Sequence, residues 1–260
     1  SALRSRFDIL HDQVDVFHRI GERKSELESI ELLDSLVEQL ADDQLKVKAV
    51  LARSNYCYTT GDYPNAMITA RLVIELAGPK SQMTLDAYSL LASSLLRFGK
   101  LDESMSNARK GLALARKAGA RKNESHMLNG IGLISIEQND FSAAIKYLDQ
   151  SIKLAREISD AVIEIGALNN LGNAAGLLGD YSMARDCYER SYKNVHVRGD
   201  RYGEGLILSN LGWVAGMQGD FVASRSYQEQ ALNIAREVGN PYQEAYTLIN
   251  LSAVLGIQGE

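Results

Sequence analysis

Three asparagines, Asn170, Asn210 and Asn250, recur at intervals of 40 residues, with Asn129, Asn169 and Asn173 close beside the row. Asparagine is a poor helix former, and nothing in packing asks for it at a fixed interval. Its amide carries both a donor and an acceptor, so a row of them can hold a polypeptide main chain whatever that chain's sequence. The same row can instead tie neighbouring helices together as a ladder, and both uses stand open at this level. Trp213 occupies the position that Asn173 holds one interval earlier. A tryptophan there suits a ligand anchor and a core plug equally well.

Bond-making chemistry has no comparable footing. The histidines His11, His18, His126 and His196 offer no pair at metal-ligand spacing with a third ligand. His11, Asp15 and His18 share a helix face and read as surface polarity. There is no phosphate-binding loop, no dinucleotide fingerprint between a strand and a helix, and no nucleophile elbow. Gly130-Ile131-Gly132 reads as helix packing. No catalytic, metal-binding or cofactor-binding residue is assigned, and the chain is expected not to be an enzyme. Arg97, Lys100, Arg109, Lys110, Arg116, Lys117, Arg121 and Lys122 outweigh Asp102 and Glu103. That run reads as a solvated helix face, its alternative being a dock for an acidic partner segment.

The asparagines must be positioned by a repeat. Ala167–Tyr181 reads A-L-N-N-L-G-N-A-A-G-L-L-G-D-Y, and its pieces return at Leu128–Phe141, Leu208–Phe221 and Leu248–Glu260. Turn positions fall at Gly21, Gly61, Gly99, Asn139, Gly179, Gly219 and Gly259, every interval being 40 residues except 38 between Gly61 and Gly99. Such a period means stacked supersecondary units. Gly at the turn suits a helix C-terminus, Asn can replace it there, and the following Asp suits an N-cap. Asp160, Asp200 and Asn240 recur as caps between units, and Asn240-Pro241-Tyr242-Gln243 adds a capping-box variant. Small residues recur seven before the turn (Ser54, Ala92, Gly132, Gly172, Gly212, Ser252) and five after it (Ala66, Ser104, Ala144, Ala184, Ser224). They should let paired helices approach closely. A second row, Gly176, Gly216 and Gly256, serves either a ligand backbone or tight stacking, with stacking favoured.

The small residue on the first helix, Ala on the second and the Gly-Asp-Tyr turn resemble the tetratricopeptide repeat. A period of 40 rather than the usual one of about 34 is similar to the long-helix arrays of kinesin light chains, the LGN-type mitotic adaptor and bacterial Rap-type peptide sensors. The L-x-N-L-G core matches best at Leu168–Gly172 and Leu208–Gly212, then at Leu248–Ser252 with Ser for Gly. The resemblance implies an all-α, right-handed α-solenoid of about six and a half helical hairpins. In those families the first-helix face lines a concave groove where Asn side chains bond an extended peptide. Carried over by position, Asn170, Asn210 and Asn250 contact a peptide, with Asn129, Asn169, Asn173 and Trp213 beside them. Ala52 and Leu90 break the pattern upstream, so the polar floor is expected in the C-terminal half only.

Boundaries follow from the period: one array over 1–260, with units near 1–42, 43–80, 81–120, 121–160, 161–200, 201–240 and a half unit at 241–260. The stop in mid-unit suggests a piece of a longer protein, or an end completed by self-association. Similar arrays follow the ATPase modules of bacterial regulators, so a regulatory or oligomerising arm is the alternative to a peptide-binding module. Hydrophobic content of 45% supports a core, and a formal charge of -5 argues against nucleic-acid binding. Cys57 and Cys187 lie in different units and read as buried thiols of a reducing compartment. With no apolar run of membrane-spanning length and no signal-peptide core, a cytoplasmic setting and a protein or peptide partner are expected.

Overall fold

A computed structural model describes residues 2–79 and 81–258, with side chains as far as Gly256. Among these residues there are thirteen helices and no strand. Packing divides the chain into two compact units, up to Ile134 and from Ser135. The first holds α1 (Ala2–Ile20), α2 (Arg23–Leu40), α3 (Asp43–Thr59), α4 (Tyr63–Ala77), α5 (Gln82–Arg97) and α6 (Leu101–Ala118). The second holds α8 (Phe141–Glu157), α9 (Ala161–Leu177), α10 (Tyr181–Val197), α11 (Arg201–Met217), α12 (Phe221–Glu237) and α13 (Pro241–Gln258). The division falls inside α7 (Arg121–Glu137). Within each unit every helix packs on its successor, and first helices also touch, α3 on α5 and α11 on α13. This is the expected all-α solenoid of stacked hairpins.

The turns form as the cap residues dictate. Asn139 adopts a left-handed φ of 60°, and Gly179 one of 88°. At Gly179 the chain closes with Asp180 N–H on the Ala175 carbonyl at 2.9 Å. Asp180 then starts α10, its carboxylate accepting from Met183 N–H at 2.9 Å. Asp140, Asp160, Asp200 and Asp220 repeat that cap on α8, α9, α11 and α12. Asn240 caps α13 through the N–H groups of Tyr242 and Gln243. The capping box expected there does not close. Gln243 turns inward, is 7% exposed, and both ends of its amide lack a partner, as does Thr247 Oγ1. The turn expected at Gly259 lies outside the described residues.

The small residues work as expected, with a refinement. Ser54 Oγ donates to the Ala66 carbonyl, Ser104 Oγ to Ala92 and Ser224 Oγ to Gly212, at 3.0, 2.7 and 2.7 Å. Each bond stitches the two helices of one hairpin at their closest approach. Gly172 and Gly212 make room for a specific side chain of the second helix. A Cβ at Gly172 would stand 2.5 Å from the Tyr188 ring, and one at Gly212 would stand 2.6 Å from the Gln228 amide. Tyr188 is thereby wholly buried among Ala175, Ala184, Ile207, Leu211 and Val214.

The irregular interval of 38 also has a local cause. Helix α4 stops at Ala77, and Gly78 leaves with φ 72° and ψ 164° rather than continuing the helix. Pro79 follows, and Ser81 caps α5 through Met83 N–H. Thr84 Oγ1 donates back to the Gly78 carbonyl at 2.5 Å, holding the shortened connection.

Candidate ligand-binding face

Asn169, Asn170, Asn173, Asn210 and Asn250 lie on the first helices of the C-terminal unit, Asn129 lies in the N-terminal unit, and the structure joins part of the row. Asn210 Nδ2 donates to Asn169 Oδ1 at 2.8 Å, and Asn250 Nδ2 reaches Ser209 Oγ at 3.5 Å. Both rungs join residues 41 apart, so each ties a first helix to the one before it. Asn210 is 9% exposed, whereas Asn169, Asn170, Asn173 and Asn250 are half-buried. Asn173 Oδ1 accepts from the Tyr188 hydroxyl at 2.6 Å, satisfying a phenol that the core would otherwise strand. Asn129, on α7, is half-buried, and both it and Asn170 have interaction partners. The ladder leaves amide capacity unused, since each Asn offers two donors and an acceptor with two lone pairs.

Trp213 is half-buried and serves the packing between α9 and α11. Its ring lies against Gly176, where a Cβ would stand 2.5 Å from it, and it meets Tyr181 edge-on at 6.3 Å and 83°. The Gly176 position is thus used for stacking. One interval later the same column differs. A Cβ at Gly216 would meet only Ser224, at 3.2 Å for Oγ and 3.8 Å for Cβ. Beside it opens a cavity of about 160 Å³, lined by Trp213, Gly216, Phe221, Asn250 and Ala253 among others. Asn250 and Trp213, singled out separately in the sequence, therefore share one cavity wall.

The N-terminal unit has polar first-helix residues too, at other positions in the repeat. A cavity of about 470 Å³ is lined by His18, Asn55, Tyr58, Asp86, Ser93 and His126 among others. Asp86 Oδ1 accepts from Gln82 Nε2 and Asn123 Nδ2 at 3.0 and 2.9 Å, and Gln82 Nε2 also reaches Asn123 Oδ1 at 2.8 Å. A polar floor confined to the C-terminal half is therefore corrected. Reading one column of the repeat, where Ala52 and Leu90 stand, hid residues on neighbouring columns.

A recurrent ion pair was also missed. Arg116 pairs with Glu124, Arg156 with Glu164, His196 with Glu204 and Arg236 with Glu244, at 2.9, 2.6, 2.7 and 2.8 Å. Each pair spans a turn with the acid eight residues after the base, and His18 with Glu26 at 2.8 Å has the same form. The Glu26 and Glu204 side chains are 1% and 3% exposed, and Arg23 and Arg201 supply their second partners. His18 is thus a partner of a buried carboxylate rather than mere surface polarity, and Arg116 is tied down within the basic run. Lys100 is also held, by Glu103 at 2.9 Å, while Arg97, Arg109, Lys110 and Lys117 are exposed as expected. The basic–x7–Glu spacing was the signal that would have found the pairs. Hydrogen bonds from Arg201 to Glu237 and Glu204 raise the guanidinium's pKa, and the Arg201 bond lowers that of Glu237.

Both cysteines are buried and free. Burial pushes the Cys187 thiol up to about 11 and raises that of Cys57 as well, so both stay as unreactive thiols at neutral pH. Burial likewise raises the Tyr188 phenol above its ordinary value. Among the described residues no group of three His, Cys, Asp or Glu side chains is placed to hold a metal. No described helix is long and apolar enough to cross a membrane.

A family model of the tetratricopeptide repeat matches residues 83–157, 123–195 and 164–237, more than half of the chain. The chain belongs to the tetratricopeptide repeat family. No curated protein sequence matches the chain. Among solved structures, BtubC (BKLC) from P. vanneervenii is 18% identical with a TM-score of 0.64, and the match covers 92% of this chain and 93% of that one. A Rap protein complexed with competence and sporulation factor is 10% identical with a TM-score of 0.73, over 96% of this chain and 75% of that one. A signal-transduction ATPase with a tetratricopeptide repeat sensor, from Pyrococcus horikoshii, is 15% identical with a TM-score of 0.74. That match covers 96% of this chain and 39% of the ATPase. At such identities the likeness is one of fold.

Proposed function

We propose that this tetratricopeptide array is a protein-interaction module that holds an extended peptide or protein segment on its first-helix face in the C-terminal unit. Asn170, Asn210 and Asn250 are its main-chain contacts, with Asn169, Asn173 and Trp213 around them. The observation that carries the reading is the meeting of the asparagine row and Trp213 at one open cavity through Asn250. Polar groups fix the main chain and an apolar cavity takes a side chain, the division of labour found in peptide recognition. The Rap protein above, complexed with competence and sporulation factor, gives this a parallel in fold. The buried free thiols fit a cytoplasmic setting.

The test compares wild type with an Asn170/Asn210/Asn250→Ala variant, matched in helicity and melting temperature, for capture of partners from host-like lysate. Partners lost only from the variant, and re-bound by wild type as synthetic peptides, support the groove. Equal capture by both forms defeats it. A second reading, a regulatory or self-associating arm of a larger regulator, rests on α13. Tyr242, Tyr246, Leu248 and Ile249 are 87, 48, 41 and 66% exposed there. Sedimentation over a concentration series separates the two, since only the arm predicts self-association that Leu248→Lys abolishes.

A further inference from the structure

The two junctions between first helices in the C-terminal unit are copies of one arrangement, filled once and left open once. At the first, Gly176 forms the floor, Ala184 stands beside it, Tyr181 gives an aromatic edge, and Trp213 fills the space. Adding 40 to each number gives Gly216, Ser224, Phe221 and Ala253. Gly216, Ser224, Phe221 and Ala253 all line the cavity of about 160 Å³. The floor and the aromatic edge are kept, and the plug is reduced to a methyl group.

We propose that this cavity receives an aromatic side chain, an indole or a phenol, from the bound segment, in the place that Trp213 takes one junction earlier. The chain itself shows which occupant fits, because the repeat-equivalent space already holds an indole. The size agrees: an apolar cavity of about 150 Å³ takes up benzene. The walls are largely apolar, being Trp213, Met217, Phe221, Ala253 and Val254. Gln228 faces the space with its amide spent at both ends, accepting from Ser209 Oγ at 3.0 Å and donating to the Ser209 carbonyl at 2.9 Å. Asn250, whose bond to Ser209 is long at 3.5 Å, is the rim group left to accept an indole N–H or phenol O–H. A buried aromatic also supplies the kind of anchor that dominates recognition energies. This deepens the peptide-groove reading and rests on it for the source of the aromatic, while the cavity can be tested alone.

The probe is 5-fluoroindole, titrated into the whole chain and followed by fluorine resonance broadening. Wild type should bind it saturably. Ala253→Trp, which rebuilds the filled junction, should weaken binding by about tenfold or more. Ala253→Leu is the second variant; it part-fills the space with less crowding and should weaken binding to a smaller degree if the tryptophan form fails to fold. Non-saturable uptake by wild type, or equal binding by wild type and both variants, overturns the proposal. Peptides captured through the asparagine row should also bind Ala253→Trp more weakly. Peptide binding lost in the asparagine variant but intact in Ala253→Trp overturns the aromatic subsite alone and leaves the groove standing.

Discussion

The α9–α11 and α11–α13 junctions use the same residue columns to opposite ends. At the first, a glycine in a helix is the recess for Trp213. At the second, the equivalent glycine lines a cavity together with Ala253. Helix glycine costs about 1 kcal/mol relative to alanine. At Gly176 the packing of an indole offsets that cost within the fold. At Gly216 no side chain among the described residues does, which is the pattern expected where a partner supplies the missing contact. A repeat thus keeps its backbone geometry while the side chain in one column decides whether a junction is filled or holds a cavity.

The largest effect should come from Trp213→Ala, which empties the first junction and should cost about 3–5 kcal/mol. Denaturant unfolding measures it, and added indole should recover part of the melting temperature. Recovery of none would mean that the emptied space collapses rather than persists. Next, Gly176→Ala places a Cβ 2.5 Å from the Trp213 ring and should destabilise by about 1–3 kcal/mol. Gly216→Ala meets only Ser224, and should be neutral or stabilising by up to about 1 kcal/mol. Equal effects of the two glycine changes would erase the contrast between the junctions. Smaller still, Asn210→Ala strips Asn169 of its donor and should cost about 1 kcal/mol, with Asn250→Ala costing less because its rung is long. A reversed order would mean that the Asn250 rung is the stronger one.

Alkaline titration probes the core that Cys187 shares with Ala144, Leu148, Leu168 and Leu171. The ordinary thiol pKa of 9.0 is raised to about 11 at Cys187. The unfolded chain then loses its proton first, so the thiol's contribution to stability should be lost as pH rises from 9 to about 11, and its loss is complete above that. The melting temperature of wild type should fall more steeply than that of Cys187→Ala over that window, and equal slopes would mean that the thiol is not the cause. At pH 8 alkylation of Cys187 should require unfolding.

Much of this was legible beforehand because it depends on local chemistry. The period, the turn glycines, Asn139 in a left-handed turn and the aspartate caps each involve residues within a few positions of one another. The capping box at Gln243 was misread because the same residue can reach back to its cap or inward, and sequence does not weigh those options. The basic–x7–Glu pairs are equally local, and their spacing stands in the sequence. The polar cavity of the N-terminal unit is not legible in the sequence: its residues come from columns that line up only once helices from different repeats are packed.

The sequence by itself determined the family, the helices and their ends, and the columns in which small, aromatic and amide side chains recur. Those features follow from backbone propensity and from a period that every unit obeys on its own. Only the tertiary structure decided what each column does. It turned Asn210 and Asn169 into a rung, Asn173 into the partner of a buried phenol, Trp213 into the plug of one junction and Ala253 into the open side of the next. Each of those roles depends on which atoms of the neighbouring repeat fill or vacate the space within about 4 Å, where dispersion and hydrogen bonding act.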